Sequence, residues 1–104
     1  MYKNISPKEA KLKLKKDSSL VWIDVRTPEE HAEKRIPKTI LIPLDTIDEN
    51  ITDKLKDKKA NILLHCRTGR RSKKACERLG KLGYTNLSNM DGGIEAWPYE
   101  VEHD

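Results

Sequence analysis

Apolar positions along this chain fall into short runs separated by charged stretches with helical spacing. Residues 19–25 (SLVWIDV), 39–44 (TILIPL) and 61–66 (NILLHC) are rich in branched side chains and bounded by polar residues, a pattern that predicts strands. The unbroken Ile62, Leu63 and Leu64 suit a strand covered on both faces. Two weaker strand candidates lie near the ends, YKNI (2–5) and TNLSNM (85–90).

The intervening segments carry helix start and stop signals. Ser6, Pro7 and Glu9 form an N-cap, a first-turn proline and the far side of a capping box, with Ile5 and Ala10 at the staple positions. Thr27, Pro28 and Glu30 repeat the device. LDTID predicts a further helix starting at Asp45, and DKLKDKK (53–59) reads as a helix end and a turn. RRSKKACERLGKLG (70–83) places Ala75, Cys76, Leu79 and Leu82 on one face, with Gly83 as a stop. Strands alternating with helices at this spacing argue for a small α/β domain with a parallel sheet. No repeat, linker or composition break divides the chain, so 1–104 is expected to be one domain.

Composition narrows the classes of function. The 104 residues are 36% apolar and 37% charged, with no Phe and two Trp. The core is therefore thin and the surface heavily charged. The formal net charge is +4, but the lysines are scattered and the aromatics do not interleave with a basic stripe, which argues against nucleic acid as a partner. No apolar run approaches ~18 residues, and MYKNISPKEAKLKL has no apolar signal core; a membrane partner is not expected and a cytoplasmic setting is. Cys66 and Cys76 are too few for a disulfide framework and lack the paired spacing of a zinc site, so neither metal nor cofactor is expected.

The candidate chemistry gathers in ILLHCRTGRRSKKA (62–75). Cys66 falls where a buried strand ends and a helix is about to begin, the place where sites form in such sheets. Residues 67–71 must curl tightly, and Gly69 supplies the backbone freedom. A tight loop entering a helix N-terminus turns successive amide N–H groups inward and forms an anion cradle. A sulfur at its centre is stabilised as the thiolate, the nucleophilic form. Arg67, Arg70 and Arg71 are three of only six arginines, where lysine supplies positive charge elsewhere. Arginine's fork suits oxyanions such as sulfate, thiosulfate or phosphate.

Two chemistries use such a cysteine. Phosphate-ester hydrolysis carries the signature HCxxxxxR, but six residues after Cys66 stands Ser72, and Arg71 is only five after. The shorter loop encloses less space, better matched to one terminal sulfur. Such a phosphatase also wants a carboxylic acid for the leaving group, and none is identifiable from the sequence. Sulfur transfer through a cysteine persulfide is the other chemistry.

Three blocks resemble the rhodanese family of sulfurtransferases: CRTGRRS (66–72) its CxxGxRS loop, WIDVRTPEEHAEKRIP (22–37) its first signature, and MDGGIEAW (90–97) its closing G-G-x-x-x-W. They occur in the family order and span nearly the whole chain. The resemblance implies a three-layer α/β/α domain with a five-stranded parallel sheet. It implies a thiosulfate-type sulfurtransferase that loads Cys66 from a small anionic donor and passes the sulfur to cyanide or to a thiol, either a small molecule or a thioredoxin-like protein. The amides of residues 67–72, with Thr68, Gly69 and Ser72, would hold the persulfide. Arg67, Arg70 and Arg71 would attract the donor, Arg71 foremost. Asp24, Arg26 and Glu30 would be structural, with Arg26 pairing with Glu30 to pin the loop after the second strand. Gly92 and Gly93 would allow a tight turn and Trp97 would cap the core. The family's first signature ends G-H-I-P-G-A; here Lys34, Arg35, Ile36, Pro37, Lys38 and Thr39 stand there, and losing both glycines implies altered turns. A sulfur-carrier module that docks a partner, and a phosphatase of related fold, are the alternative readings.

Four further residues invite roles. His65 adjoins the nucleophile, but successive strand side chains point to opposite faces, so a strand-end histidine is expected rather than a Cys–His dyad. Cys76 is expected to pack on the apolar helix face. His31 and His103 are expected at the surface.

Overall fold

A computed structural model describes all 104 residues. Five strands form one parallel sheet in the order β1-β5-β4-β2-β3, with β1 at Lys3–Ile5, β2 at Val21–Asp24, β3 at Ile40–Leu41, β4 at Ile62–His65 and β5 at Leu87–Met90. The helices are α1 (Pro7–Lys16), α2 (Pro28–Glu33), α3 (Ile47–Lys54) and α4 (Arg70–Lys81), with 3-10 turns at Leu44–Thr46 and Gly93–Ala96.

Side-chain alternation sorts the two faces. Ile23, Ile62, Leu64 and Cys66 pack with Ile47 and Ile51 of α3 and with Ala75, Cys76 and Leu79 of α4. Trp22, Leu63 and Met90 point the other way, onto Ala10 of α1 and onto Ile36, Ile94 and Trp97. The result is a three-layer α/β/α arrangement in which every residue of β4 is buried, as its unbroken apolar run predicts. Trp97 closes the second core, its ring edge-on to Trp22. No helix is long and apolar enough to cross a membrane.

Both capping boxes form: Ser6 and Thr27 each accept the N–H of the residue three along, Glu9 and Glu30, whose carboxylates accept the cap residue's own N–H. Two local expectations are corrected. The strand expected over 39–44 pairs in register only at Ile40–Leu41, because Pro43 has no N–H to continue the ladder and the chain turns there. Asp45 lies inside the 3-10 turn and starts no helix; α3 begins at Ile47 behind Thr46, with no side-chain cap. After Pro37, where the family has glycine, Lys38 adopts φ +68°, a left-handed conformation that costs a non-glycine residue about 1 kcal/mol.

Candidate active site

Cys66 follows the last residue of β4, and α4 begins at Arg70. Only three residues bridge them. Gly69 makes this possible at φ +112°, which turns the chain directly into the helix. Its N–H then donates to Cys66 Sγ at 3.0 Å, and the Ser72 hydroxyl lies 3.5 Å from the same sulfur. Burial pushes the Cys66 thiol up, but the Ser72 hydroxyl and the backbone N–H groups of Ser72, Gly69 and Thr68 outweigh it and hold the thiol below its ordinary value.

The loop is buttressed from behind by the turn that follows β5. Ile94 N–H donates to the Cys66 carbonyl at 2.9 Å and Glu95 N–H to the Arg67 carbonyl at 3.1 Å. At Gly93 a Cβ would overlap both of those carbonyl oxygens. The second glycine of MDGGIEAW thus permits close backbone approach as well as a turn. Ser72 is also hydrogen-bonded to Asn89 Oδ1 and lies 3.2 Å from the Gly69 carbonyl. Asn89 is itself oriented by a 3.1 Å bond from its Nδ2 to Asn4.

The sulfur is deeply set. Cys66 is only 1% exposed. It nonetheless lines a cavity of about 290 Å³ with Arg67, Thr68, Arg70, Arg71 and Lys74. Cys66 is thus almost wholly covered, and it borders the cavity as part of a wall otherwise made of cationic and hydroxyl side chains. Thr68 and Arg70 are exposed there.

The three arginines do not have equal freedom. Arg71 donates twice to the Glu30 carboxylate, at 2.6 and 2.9 Å, which ties α4 to α2 and holds the Glu30 carboxyl down at about 2. Arg67 pairs with Glu95 at 2.9 Å. Arg70 is in no ion pair.

The expected Arg26–Glu30 pair is not made. Arg26 instead grips the buried Asp24 carboxylate through Nε and Nη2, the latter at 2.7 Å, and reaches α2 only through the carbonyls of Glu30, at 3.3 Å, and Lys34, at 2.7 Å. An adjacent buried carboxylate takes precedence because neither charge could be left unpaired there. Burial alone would push Asp24 up; Arg26, His65 and His31 outweigh it and hold the carboxyl below its usual value. His31 is therefore no free surface residue: its Nδ1 lies 2.9 Å from Asp24.

His65 sits on the opposite face from Cys66, as strand alternation requires. Its Nδ1 accepts the Trp22 indole N–H at 2.9 Å, so the neutral ring carries its proton on Nε2, 3.8 Å from Asp24 Oδ1. Burial pushes its pKa down to about 4. Cys76 is packed in the core, and burial pushes its thiol up to about 12.

Sequence reasoning missed Asn89, Glu95 and the Asp24–His31 contact. Asn89 left one signal, a polar residue within a strand otherwise destined for the core. The other two leave none, because their partners are set by tertiary placement.

Comparison with known proteins agrees with this architecture. Residues 6–100 match the family model described as the rhodanese-like domain. The chain is 38% identical over 71 residues to the thiosulfate sulfurtransferase PspE of Escherichia coli, covering 68% of each. It is 37% identical over 100 residues to the putative sulfurtransferase YtwF of Bacillus subtilis, covering 96% of this chain and 94% of that protein. The crystal structure of a rhodanese-like domain protein from Staphylococcus aureus superposes with a TM-score of 0.82 at 37% identity, covering 98% of both chains. With its three signature blocks, its sheet order and its cysteine loop all in place, the chain belongs to the rhodanese-like domain family.

Proposed function

We propose that this protein is a single-domain thiosulfate-type sulfurtransferase working through Cys66. The thiolate attacks the outer sulfur of thiosulfate. A sulfur–sulfur bond forms at Cys66, the bond to the sulfonate sulfur breaks, and sulfite leaves with its electron pair. The negative charge now rests on the outer sulfur of a Cys66 persulfide, where the loop N–H groups that held the thiolate can hold it. A thiolate or cyanide then takes that outer sulfur and returns Cys66 as thiolate. Both leaving groups are good, so neither step needs a strong acid or base.

The observation that carries this reading is the composition of the cavity wall. It offers amides and cations around a sulfur and includes no carboxylic acid; the nearby Glu30 and Glu95 are both engaged by arginine. Ester hydrolysis would need a general acid for its leaving group. His65 cannot serve, being neutral and turned to the other face. The names of the similar proteins, a thiosulfate sulfurtransferase and a putative sulfurtransferase, support the same chemistry.

Incubation with thiosulfate and cyanide is expected to give thiocyanate. Cys66→Ser abolishes it and Cys76→Ser does not; equal loss in both contradicts the assignment. The 1% exposure of Cys66 favours one second reading, a sulfur carrier that unloads only onto a docked partner. That reading predicts a single equivalent of persulfide and little thiocyanate beyond it. Hydrolysis of an aryl phosphate that Cys66→Ser removes would favour a phosphatase instead.

A further inference from the structure

The cationic residues at the mouth of the site look interchangeable in sequence, and the structure separates them. Arg67 and Arg71 line the cavity, but each is already matched by a carboxylate, Glu95 and Glu30 respectively. Each of those pairs sums to no net charge. Arg70 and Lys74 line the same cavity, are exposed, and enter no ion pair or side-chain hydrogen bond. They are four residues apart on α4, so they stand one above the other on the same helix face. The first turn of α4 contains no acidic residue, the one acidic residue of the helix, Glu77, is paired with neither of them, and the positive end of the helix adds to their field.

We infer that Arg70 and Lys74 form a charge-selecting gate that sets the preference of this site for doubly charged sulfane donors, while Arg67 and Arg71 hold the walls of the cavity in place. The inference rests on the sulfurtransfer reading and divides the work among its cations. Two uncompensated positive charges match the two negative charges of thiosulfate. A thiosulfonate presents the same transferable sulfur on a carrier with one charge. Attack on it by the Cys66 thiolate forms the same persulfide and releases a sulfinate with the electron pair, so the chemistry is constant and only the charge differs. The gate residues lie outside the hydrogen bonds that hold the sulfur, and they act on capture of the donor rather than on its cleavage.

The test measures KM for thiosulfate and for an aryl thiosulfonate in the wild type, Arg70→Ala, Lys74→Ala, the double variant, and Lys73→Ala, an exposed lysine of α4 outside the cavity wall. Each gate substitution is expected to raise KM for thiosulfate about 3-fold and the pair about 10-fold, the range for exposed charges. KM for the thiosulfonate should move by less, so the ratio between donors falls. Arg70→Lys restores it, and added salt weakens thiosulfate capture more in the wild type than in the double variant. Lys73→Ala leaves the ratio unchanged. An unaltered donor ratio in the double variant, or an equal effect of Lys73→Ala, overturns the gate. Retained persulfide formation from the thiosulfonate shows that a variant is folded and competent. Failure of the wild type to load sulfur from either donor overturns the sulfurtransfer reading and the gate with it.

Discussion

The Glu30 carboxylate and the Arg71 guanidinium meet in two hydrogen bonds, 2.6 and 2.9 Å long, that join the short helix after β2 to the start of the helix after the cysteine loop. Glu30 also accepts the Thr27 N–H at 2.9 Å, so one carboxylate closes a capping box and anchors the wall of the sulfur cavity. The Arg71 bonds, above all, hold its carboxyl down at about 2 instead of 4.5. A depressed folded-state pKa stabilises the fold above the unfolded value and is lost as pH falls through the folded one. Taken whole, this drop would correspond to ~3 kcal/mol. The two side chains are 26% and 33% exposed, and solvent screening reduces the contribution to ~1 kcal/mol. Denaturant unfolding of Glu30→Gln against wild type should show a stability difference above pH 4.5 that shrinks toward pH 2. A difference that stays constant across that window contradicts the pair.

Gly93 is the next point of strain. A methyl group there meets the carbonyls of Cys66 and Arg67, and φ is +61°. Neither backbone can yield without moving the sulfur. Gly93→Ala should cost ~2–4 kcal/mol, lowering the thermal midpoint by roughly 10 °C or more. Gly80→Ala is the counterpart: the nearest atom to its Cβ is 3.8 Å away, and removing glycine from a helix should leave stability equal or raise it by up to ~1 kcal/mol. Equal effects at the two glycines contradict the buttress.

His65 tests the absence of a base. Its pKa is pushed down to about 4 from 6.5. Between these values the unfolded chain binds a proton that the folded chain refuses, so stability falls as pH drops from 6.5 to 4, by on the order of 3 kcal/mol. His65→Gln, which keeps an acceptor for Trp22, should flatten that part of the stability profile and preserve the pH dependence of thiocyanate formation. A folded variant that lost turnover would make His65 part of the chemistry.

In the proposed mechanism, Ser72 tunes the Cys66 thiolate. Ser72→Ala removes the hydroxyl that bears on Cys66 and leaves buried Asn89 without that partner. A hydrogen bond to the sulfur worth ~1 kcal/mol implies a thiol roughly fivefold less acidic without it. The pH dependence of iodoacetamide modification should shift upward in the variant. Cys76, pushed up to about 12, should stay unmodified throughout. An unshifted profile would leave the backbone N–H groups as the sole support of the thiolate.

Much of this was legible in the sequence, and the limits have a common cause. Ser6 and Thr27 announce their helices because a capping box is a contact within four residues. The β4 run announces its burial because two covered faces demand it. Arg26 shows where local reading stops: the resemblance gives it Glu30, four residues on, but it takes the buried Asp24 two residues back, since that carboxylate has no water to fall back on. Glu30 is then free for Arg71, 41 residues away. Lys38 takes the left-handed conformation where the family has glycine, because about 1 kcal/mol of backbone strain is small against the burial of Ile36 in the core two residues earlier. The depth of Cys66 was equally hidden, being set by Gly93 docking from a turn that follows another strand.

The most direct measurement is the intact mass of the protein after incubation with thiosulfate and removal of small molecules, followed by location of any adduct. One added sulfur on Cys66, absent in Cys66→Ser and discharged by cyanide, is the result this account predicts. An unmodified Cys66 in folded protein, or sulfur carried on Cys76 instead, would contradict it.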